Sequence, residues 1–205
     1  MNIYLDGEFA FGLSSILAAW LTEGQELSEE KVVTLQTEDE LEITYQKALH
    51  YLGYRPRSSS EVRQNLLKRG VSDELVEKTI TRLRQAGLVN DQEFARAWIE
   101  NRNTFQPRSK SALRFELHRK GLSDELVQPV LDELVDDQPL ALEAGRKYSH
   151  RLTGLAWPEF RMKLSGFLAR RGFSYGTLTP IVSEIWKESR MADDGETRKD
   201  KESTE

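Results

Sequence analysis

The 205-residue chain contains no cysteine. That excludes a disulfide framework, a thiolate metal site and a cysteine nucleophile. The three histidines, His50, His118 and His150, are scattered without a paired ligand spacing. Long apolar runs are missing as well, and the longest, around Ile16 to Leu21, is far too short to span a bilayer. Met1 is followed by Asn2-Ile3-Tyr4-Leu5-Asp6, without the basic start and apolar stretch of a secretory signal. There is no glycine-rich phosphate loop and no Gly-x-Ser-x-Gly elbow. The acid pairs Asp136-Asp137 and Asp193-Asp194 fall in an expected linker and tail, where solvated charge is the plainer reading. The expectation is a cytoplasmic protein that is not an enzyme, with no catalytic residues, metal, cofactor, small-molecule substrate or membrane contact.

Net charge is −5, but it is unevenly spread. Residues 1–44 carry ten acids against one base, Lys31, and residues 191–205 carry six acids against three bases. The stretch between them is basic, with 25 bases against 18 acids. An acidic pI therefore conceals a cationic middle, suited to phosphates or to an acidic protein wall.

The middle repeats. Gly70, Gly121 and Gly172 stand 51 residues apart. Each follows two bases (Lys68-Arg69, Arg119-Lys120, Arg170-Arg171) and precedes an apolar residue and a serine (Val71-Ser72, Leu122-Ser123, Phe173-Ser174). Arg63 matches Arg114, Leu66 matches Leu117, and Ser72-Asp73-Glu74-Leu75-Val76 matches Ser123-Asp124-Glu125-Leu126-Val127. A fixed period of this size marks a tandem supersecondary unit.

Each unit reads as three short helices. Ser58-x-x-Glu61 is a capping box, and Gly70 is the residue that ends its helix in a left-handed turn. Ser72 then caps a third helix striped by Leu75, Val76, Thr79, Ile80 and Leu83. Asp91 and Ser123 are expected caps in the second unit, with Phe94, Ala95, Trp98 and Ile99 facing inward. In the third, Leu142 with Tyr148, then Leu164, Phe167 and Leu168, are the expected inner faces. Pro129 and Pro180 share a register inside the third helices, which predicts a kink or a late start. Asp6-Gly7 between alternating apolar residues signals a β-hairpin, followed by short helices over 14–21 and 28–35. Trp20 is expected to seal this segment against the first repeat. The predicted fold is all-α: three tandem three-helix repeats forming an elongated curved array, with a small hairpin and helix extension. The expected divisions are an acidic extension (1–44), repeats at 45–90, 91–136 and 137–190, and a disordered tail at 191–205.

The candidate contact residues are the repeated bases. Lys68, Arg69, Arg119, Lys120, Arg170 and Arg171 recur in equivalent places, Arg63 and Arg114 lie on the helices before those turns, and Arg55, Arg57, Arg108 and Lys110 occupy matching connections. Stacked repeats would align them into a cationic strip. The plainer reading is dipole compensation by bases in a helix's last turn, about 0.3–1 kcal/mol each.

Several segments together carry a family likeness. They are Ala48-Leu49 with Leu52, Arg55-Pro56-Arg57-Ser58, Leu66 to Gly70, Gly87-Leu88-Val89-Asn90-Asp91 with Phe94-Ala95-Arg96-Ala97-Trp98, Leu117 to Gly121, and the N-terminal Tyr4 to Leu13. In this order the chain resembles the RecX family of recombination regulators over about residues 2 to 190. The resemblance implies helical repeats curved to fit the groove of a RecA recombinase filament on DNA. It also implies binding that inhibits the filament's ATPase and strand exchange in homologous recombination, DNA repair and the SOS response, with DNA met through the filament. Pro107-Arg108-Ser109-Lys110 departs from the glycine common at that point of the family. The competing readings are an autonomous, non-specific DNA-binding helical module and a generic helical scaffold. Acids opening the third helices (Asp73-Glu74, Asp124-Glu125) count against sequence-specific base reading.

Overall fold

In the computed structural model the described residues are 1–202, with side chains described through Met191. The hairpin forms as the Asp-Gly signal predicts. Strands β1 (Asn2–Leu5) and β2 (Glu8–Gly12) pair antiparallel around Asp6 and Gly7, both at positive φ. Its faces are not set by simple alternation. Ile3 opposes Phe11 while Tyr4 opposes Phe9, so Ala10 is a bulge residue. The bulge turns Phe11 inward and leaves Phe9 outside, edge-on to Tyr4. Phe11 and Leu13 pack with Ala18 of α1 (Ser15–Ala18) and Leu35 of α2 (Glu29–Leu52).

Helix α2 is one continuous helix of 24 residues, where the apolar stripes predict two short ones. Ser28 caps it by accepting from the Lys31 N–H, and no glycine or proline interrupts it before Gly53. The expected division at residue 44 therefore falls inside a helix, and Thr44 there is buried. Trp20 does not seal anything and is 82% exposed. Helix α1 ends at Ala18, and the turn that follows directs Ala18 and Leu21, not Trp20, into the small core.

The chain divides into two compact units, Met1–Asp91 and Gln92–Glu205. In the first, α2, α3 (Ser59–Leu67) and α4 (Asp73–Gln85) enclose Ala48, Val62, Leu66, Val76, Ile80 and Leu83. Each large aliphatic residue buried there contributes about 1.5–3 kcal/mol. Ser58 forms the predicted capping box with Glu61.

In the second unit, α5 (Asp91–Phe105), α6 (Lys110–Arg119) and α7 (Asp124–Leu134) enclose Phe94, Ala95, Ile99, Leu113, Leu117, Val127 and Leu131. Helices α8 (Asp137–Ser149), α9 (Trp157–Arg170) and α10 (Tyr175–Glu202), with a short 3-10 turn at His150–Leu152, enclose a further core around Phe160, Leu164, Leu168 and Ile185. The innermost residues of α8 are Ala141, Ala144 and Gly145, while Leu142 and Tyr148 are only partly buried. A Cβ on Gly145 would stand 2.5 Å from Ile185 Cδ1, so α8 and α10 approach too closely for large side chains between them.

Three local expectations change. Of the two outcomes expected at Pro129 and Pro180, the late start does not occur: both lie inside helices that start on time, and the α7 ladder already closes from Val127 N–H to Ser123 O at 3.0 Å. Ser123 holds the extended N-cap backbone, but its hydroxyl makes no cap bond. Helix α10 continues to Glu202 through most of the segment expected to be a disordered tail, because Glu, Lys, Arg, Met and Ala dominate it and all favour helix. Residues 203–205 of that expected tail lie outside the described residues.

Candidate partner-docking surface

The three basic-glycine turns share one local geometry. Gly70, Gly121 and Gly172 have φ of 79°, 79° and 89°. In each turn the residue after the glycine donates back to a helix carbonyl: Val71 to Leu66 at 3.3 Å, Leu122 to Leu117 at 3.2 Å, Phe173 to Leu168 at 3.3 Å. The shorter bond, glycine N–H to the residue three before it, recurs at 2.9, 2.8 and 2.9 Å. This is the Schellman closure, and it places the two preceding bases at the same point of each helix end.

A second device also repeats. The Asp91 carboxylate accepts from the Ser59 N–H at 2.7 Å, and Asp137 accepts from the Lys110 N–H at 2.7 Å. Each aspartate opens the first helix of one repeat and satisfies an orphan donor at the second helix of the repeat before it. Asp91 is therefore not the simple cap of its own helix that the sequence predicts; its carboxylate serves α3, with Arg84 at 3.5 Å.

The twelve candidate cations separate by what they touch. Five are tied to acids of their own repeat. Arg55 makes a forked contact to Glu61 (2.8 and 3.3 Å), which raises its pKa above the ordinary value. Arg63 pairs with Glu77. Arg114 reaches Gln128, the residue equivalent to Glu77, and lies 3.8 Å from Asp124. Arg108 pairs with Glu116 at 3.0 Å and Lys110 with Asp132 at 2.8 Å. Arg57 instead lies over the Tyr51 ring, 4.2 Å from its centre.

The bases of the turns behave differently. Lys68, Arg69 and Arg170 are exposed, and their side chains have no hydrogen-bond, ion-pair or ring partner among the described residues. Arg119 lies 5.9 Å from the centre of the Phe115 ring, itself 66% exposed. Lys120 sits over Trp98 at 4.9 Å. The acids that follow the first two turns are already engaged, Glu74 with Lys78 at 2.7 Å and Asp124 with His118 at 2.8 Å.

Arg171 is the exception. Its turn packs against the start of α6: the Ser109 N–H donates to the Arg171 carbonyl at 3.1 Å, and the Arg171 guanidinium donates to the Pro107 carbonyl at 3.1 Å. A Cβ on Gly172 would meet Ser109 Oγ at 2.5 Å and Ala112 Cβ at 2.7 Å. Arg171 also lies over Phe167 at 4.4 Å, and burial together with the Arg108 charge pushes its pKa below the ordinary value. The structure thus brings Arg108 and Arg171 together from two repeats.

Residues not selected from the sequence also matter here. Glu116 is the hub of the second repeat, accepting from Trp98 Nε1 at 2.8 Å and Arg102 at 2.9 Å besides pairing with Arg108. Trp98 is accordingly half-buried, not fully enclosed. Phe105, Lys147 and Arg151 meet Arg171 around one cleft. The i, i+4 spacing of Lys147 and Arg151 was a readable signal, but their proximity to Phe105 was not. Among the described residues there is no group of three metal-capable side chains, and no helix is long and apolar enough to cross a membrane.

Known proteins share this organisation. The first, second and third three-helix domains of RecX match residues 45–83, 90–131 and 136–177. A regulatory protein RecX of Bacillus licheniformis is 30% identical over 202 residues, 97% of this chain and 76% of the relative. One from Amycolatopsis mediterranei is 36% identical over 139 residues, 67% of this chain and 79% of the relative. A crystal structure of a regulatory protein RecX superposes with a TM-score of 0.72 at 24% identity, covering 91% of this chain and 94% of that one. The RecX of Lactobacillus salivarius gives 0.62 at 22% identity, covering 75% of this chain and 99% of that one. With all three domain types present in order, and a relative matched over most of its length, the chain belongs to the RecX family of regulatory proteins.

Proposed function

We propose that this chain is a non-enzymatic, cytoplasmic regulator that docks on a RecA recombinase filament on DNA and restrains its ATPase and strand exchange. The observation that carries the reading is the division of the candidate cations. Those on helix faces and connections are engaged within their own repeat, five by acids and Arg57 by the Tyr51 ring, whereas Lys68, Arg69 and Arg170 in the glycine turns are not. Cations whose side chains have no partner in their own repeat are available to a partner protein. Several weak contacts presented at a fixed sequence period suit a partner that is itself periodic, because linked modules gain effective concentration. Restraint then follows from bridging neighbouring protomers and resisting the motions that ATP turnover needs.

The test is the DNA-dependent ATPase of the cognate RecA, titrated with this protein. Reversal of Lys68 and Arg69, of Arg119, or of Arg170 to glutamate should each raise the concentration for half-maximal inhibition several-fold, and more at low salt. Arg55→Ala, which removes a cation already paired with Glu61, should change it little. A folded variant carrying all four reversals that still inhibits like the parent chain would end the proposal.

A further inference from the structure

The second unit holds a cleft of about 220 Å³ where its two repeats meet. Its lining has three parts. Phe105, at the end of α5, presents a ring that is 74% exposed. Lys147, near the end of α8, and Arg151, in the 3-10 turn that follows it, supply cations from the other side. Arg171 closes the floor, between Pro107 and the Phe167 ring. No carboxylate is among these lining residues.

The charges of this cleft are poorly compensated. Arg171 is half-buried, and its contacts are a carbonyl and a ring, neither of which cancels its charge. The Arg108 guanidinium acts on it repulsively, and Glu116 offsets Arg108, not Arg171. Arg151 has no ion pair among the described residues, and only Lys147 is offset, by Glu143 at 2.6 Å. A half-buried cation beside like charges is costly without an anion. Two exposed features follow suit: a cation without an acid, and a large aromatic left in water next to it.

We propose that this cleft binds one nucleotide of a single-stranded nucleic acid, its phosphate on Arg171 and Arg151 and its base against Phe105. The ligand must be an anion, because the cations converge. It must carry a flat apolar group, because the aromatic wall is otherwise unexplained. A backbone-tracking cationic groove with an exposed aromatic platform is how single strands are held without sequence preference. Arg171, placed over the Phe167 ring, keeps donors free for a phosphate fork, since one nitrogen alone is used on Pro107. The cleft is too small to enclose a cofactor, but it accepts one unit of a chain that continues on both sides. The proposal does not depend on docking to a recombinase.

The full chain should be titrated, without any recombinase, against a fluorescent thymidine dodecamer and against a duplex of the same length. Fluorescence anisotropy reads the binding at about 50 and about 200 mM salt. Phe105→Ala should weaken the single strand by roughly 5- to 100-fold, the range for losing one stacked base, and leave the duplex nearly unchanged. Arg151→Glu should weaken both and reduce the salt slope. Both side chains are exposed, so circular dichroism should match the parent chain. Polyglutamate at equal charge should fail to displace the dodecamer. The proposal is overturned if both variants bind the dodecamer like the parent chain. It is equally overturned if Phe105→Ala weakens strand and duplex alike, or if polyglutamate displaces the strand, which would assign the cleft to an acidic polypeptide.

Discussion

Replacing Gly172 by alanine should unseat the third repeat from the second. Two costs add at this position. The left-handed backbone (φ 89°) penalises any side chain by about 1–2 kcal/mol. The new Cβ would also stand 2.5 Å from Ser109 Oγ and 2.7 Å from Ala112 Cβ, at the start of a helix that cannot move freely. Overpacking of this kind costs about 1–3 kcal/mol, so with the backbone part the total is about 2–5 kcal/mol. Gly70 supplies the control: its φ is 79°, but nothing lies within 4 Å of its Cβ position, so Gly70→Ala should cost only the backbone part. For a chain of this size each kcal/mol lowers a melting midpoint by about 2–4 °C. Calorimetry on the full chain should therefore show a midpoint loss for Gly172→Ala about 2–12 °C larger than that for Gly70→Ala, each referred to the unit that carries it. The same variant should lose the Ser109 N–H to Arg171 carbonyl bond, seen as faster amide exchange at Ser109. Equal losses at the two glycines would refute the close approach and, with it, the account of why the third turn differs.

Other outcomes follow from the same contacts. Glu42 is held below its usual pKa of 4.5 by hydrogen bonds from Gln46 and Arg82, so it stabilises the fold above that value and the contribution disappears as pH falls through the lower, folded pKa. Glu42→Gln should consequently flatten the acid limb of the first unit's stability curve below about pH 4.5, and an unchanged limb in acid denaturation would contradict it. Glu116→Ala strands the Trp98 N–H and Arg102 and frees Arg108; a loss of about 1–3 kcal/mol in urea unfolding is expected, with a shift in tryptophan emission. Asp91→Ala and Asp137→Ala should each cost about 1–3 kcal/mol by orphaning the Ser59 or Lys110 N–H, and two nearly silent substitutions would show that water replaces the carboxylates without penalty.

The repeat unit was legible because its determinants are local. Glycine with bases before it, serine after it and a stripe of aliphatic residues each act within one or two helical turns, and the capping box at Ser58 and the hairpin turn at Asp6-Gly7 form accordingly. What failed depends on contacts distant in the chain. The bulge at Ala10 decides the outward face of Phe9, and nothing in a strict alternation announces it. The length of α2 follows from the lack of a breaker between 29 and 52, a weaker signal than an apparent pause in the stripe. Small residues replace Leu142 on the inner face of α8 because Ile185, forty residues later, comes so near Gly145. In the candidate surface, all twelve cations looked equivalent by register. Only the positions of Glu61, Glu77, Glu116 and Asp132 reveal which of them are already neutralised.

That separation bears on how a repeated signature acquires a function. Dipole compensation explains why a base precedes each helix-ending glycine, but it needs only one base, and two stand at every turn. In the third turn the second base is used inside the molecule. Arg171 reaches Pro107 and seats its repeat on α6, while Arg170 stays in water. In the first turn no such neighbour engages Arg69, and Lys68-Arg69 both remain exposed. One motif therefore divides between assembly and outward charge according to what packs beside it. A pair of single substitutions can tell these apart. Arg171→Ala should lower stability while leaving long-range steering by charge nearly intact, whereas Arg170→Ala should do the reverse, with stability unchanged and partner association slowed chiefly at low ionic strength. If both substitutions act on stability alone, the exposed bases serve only their own helices, and the partner must be recognised by other residues.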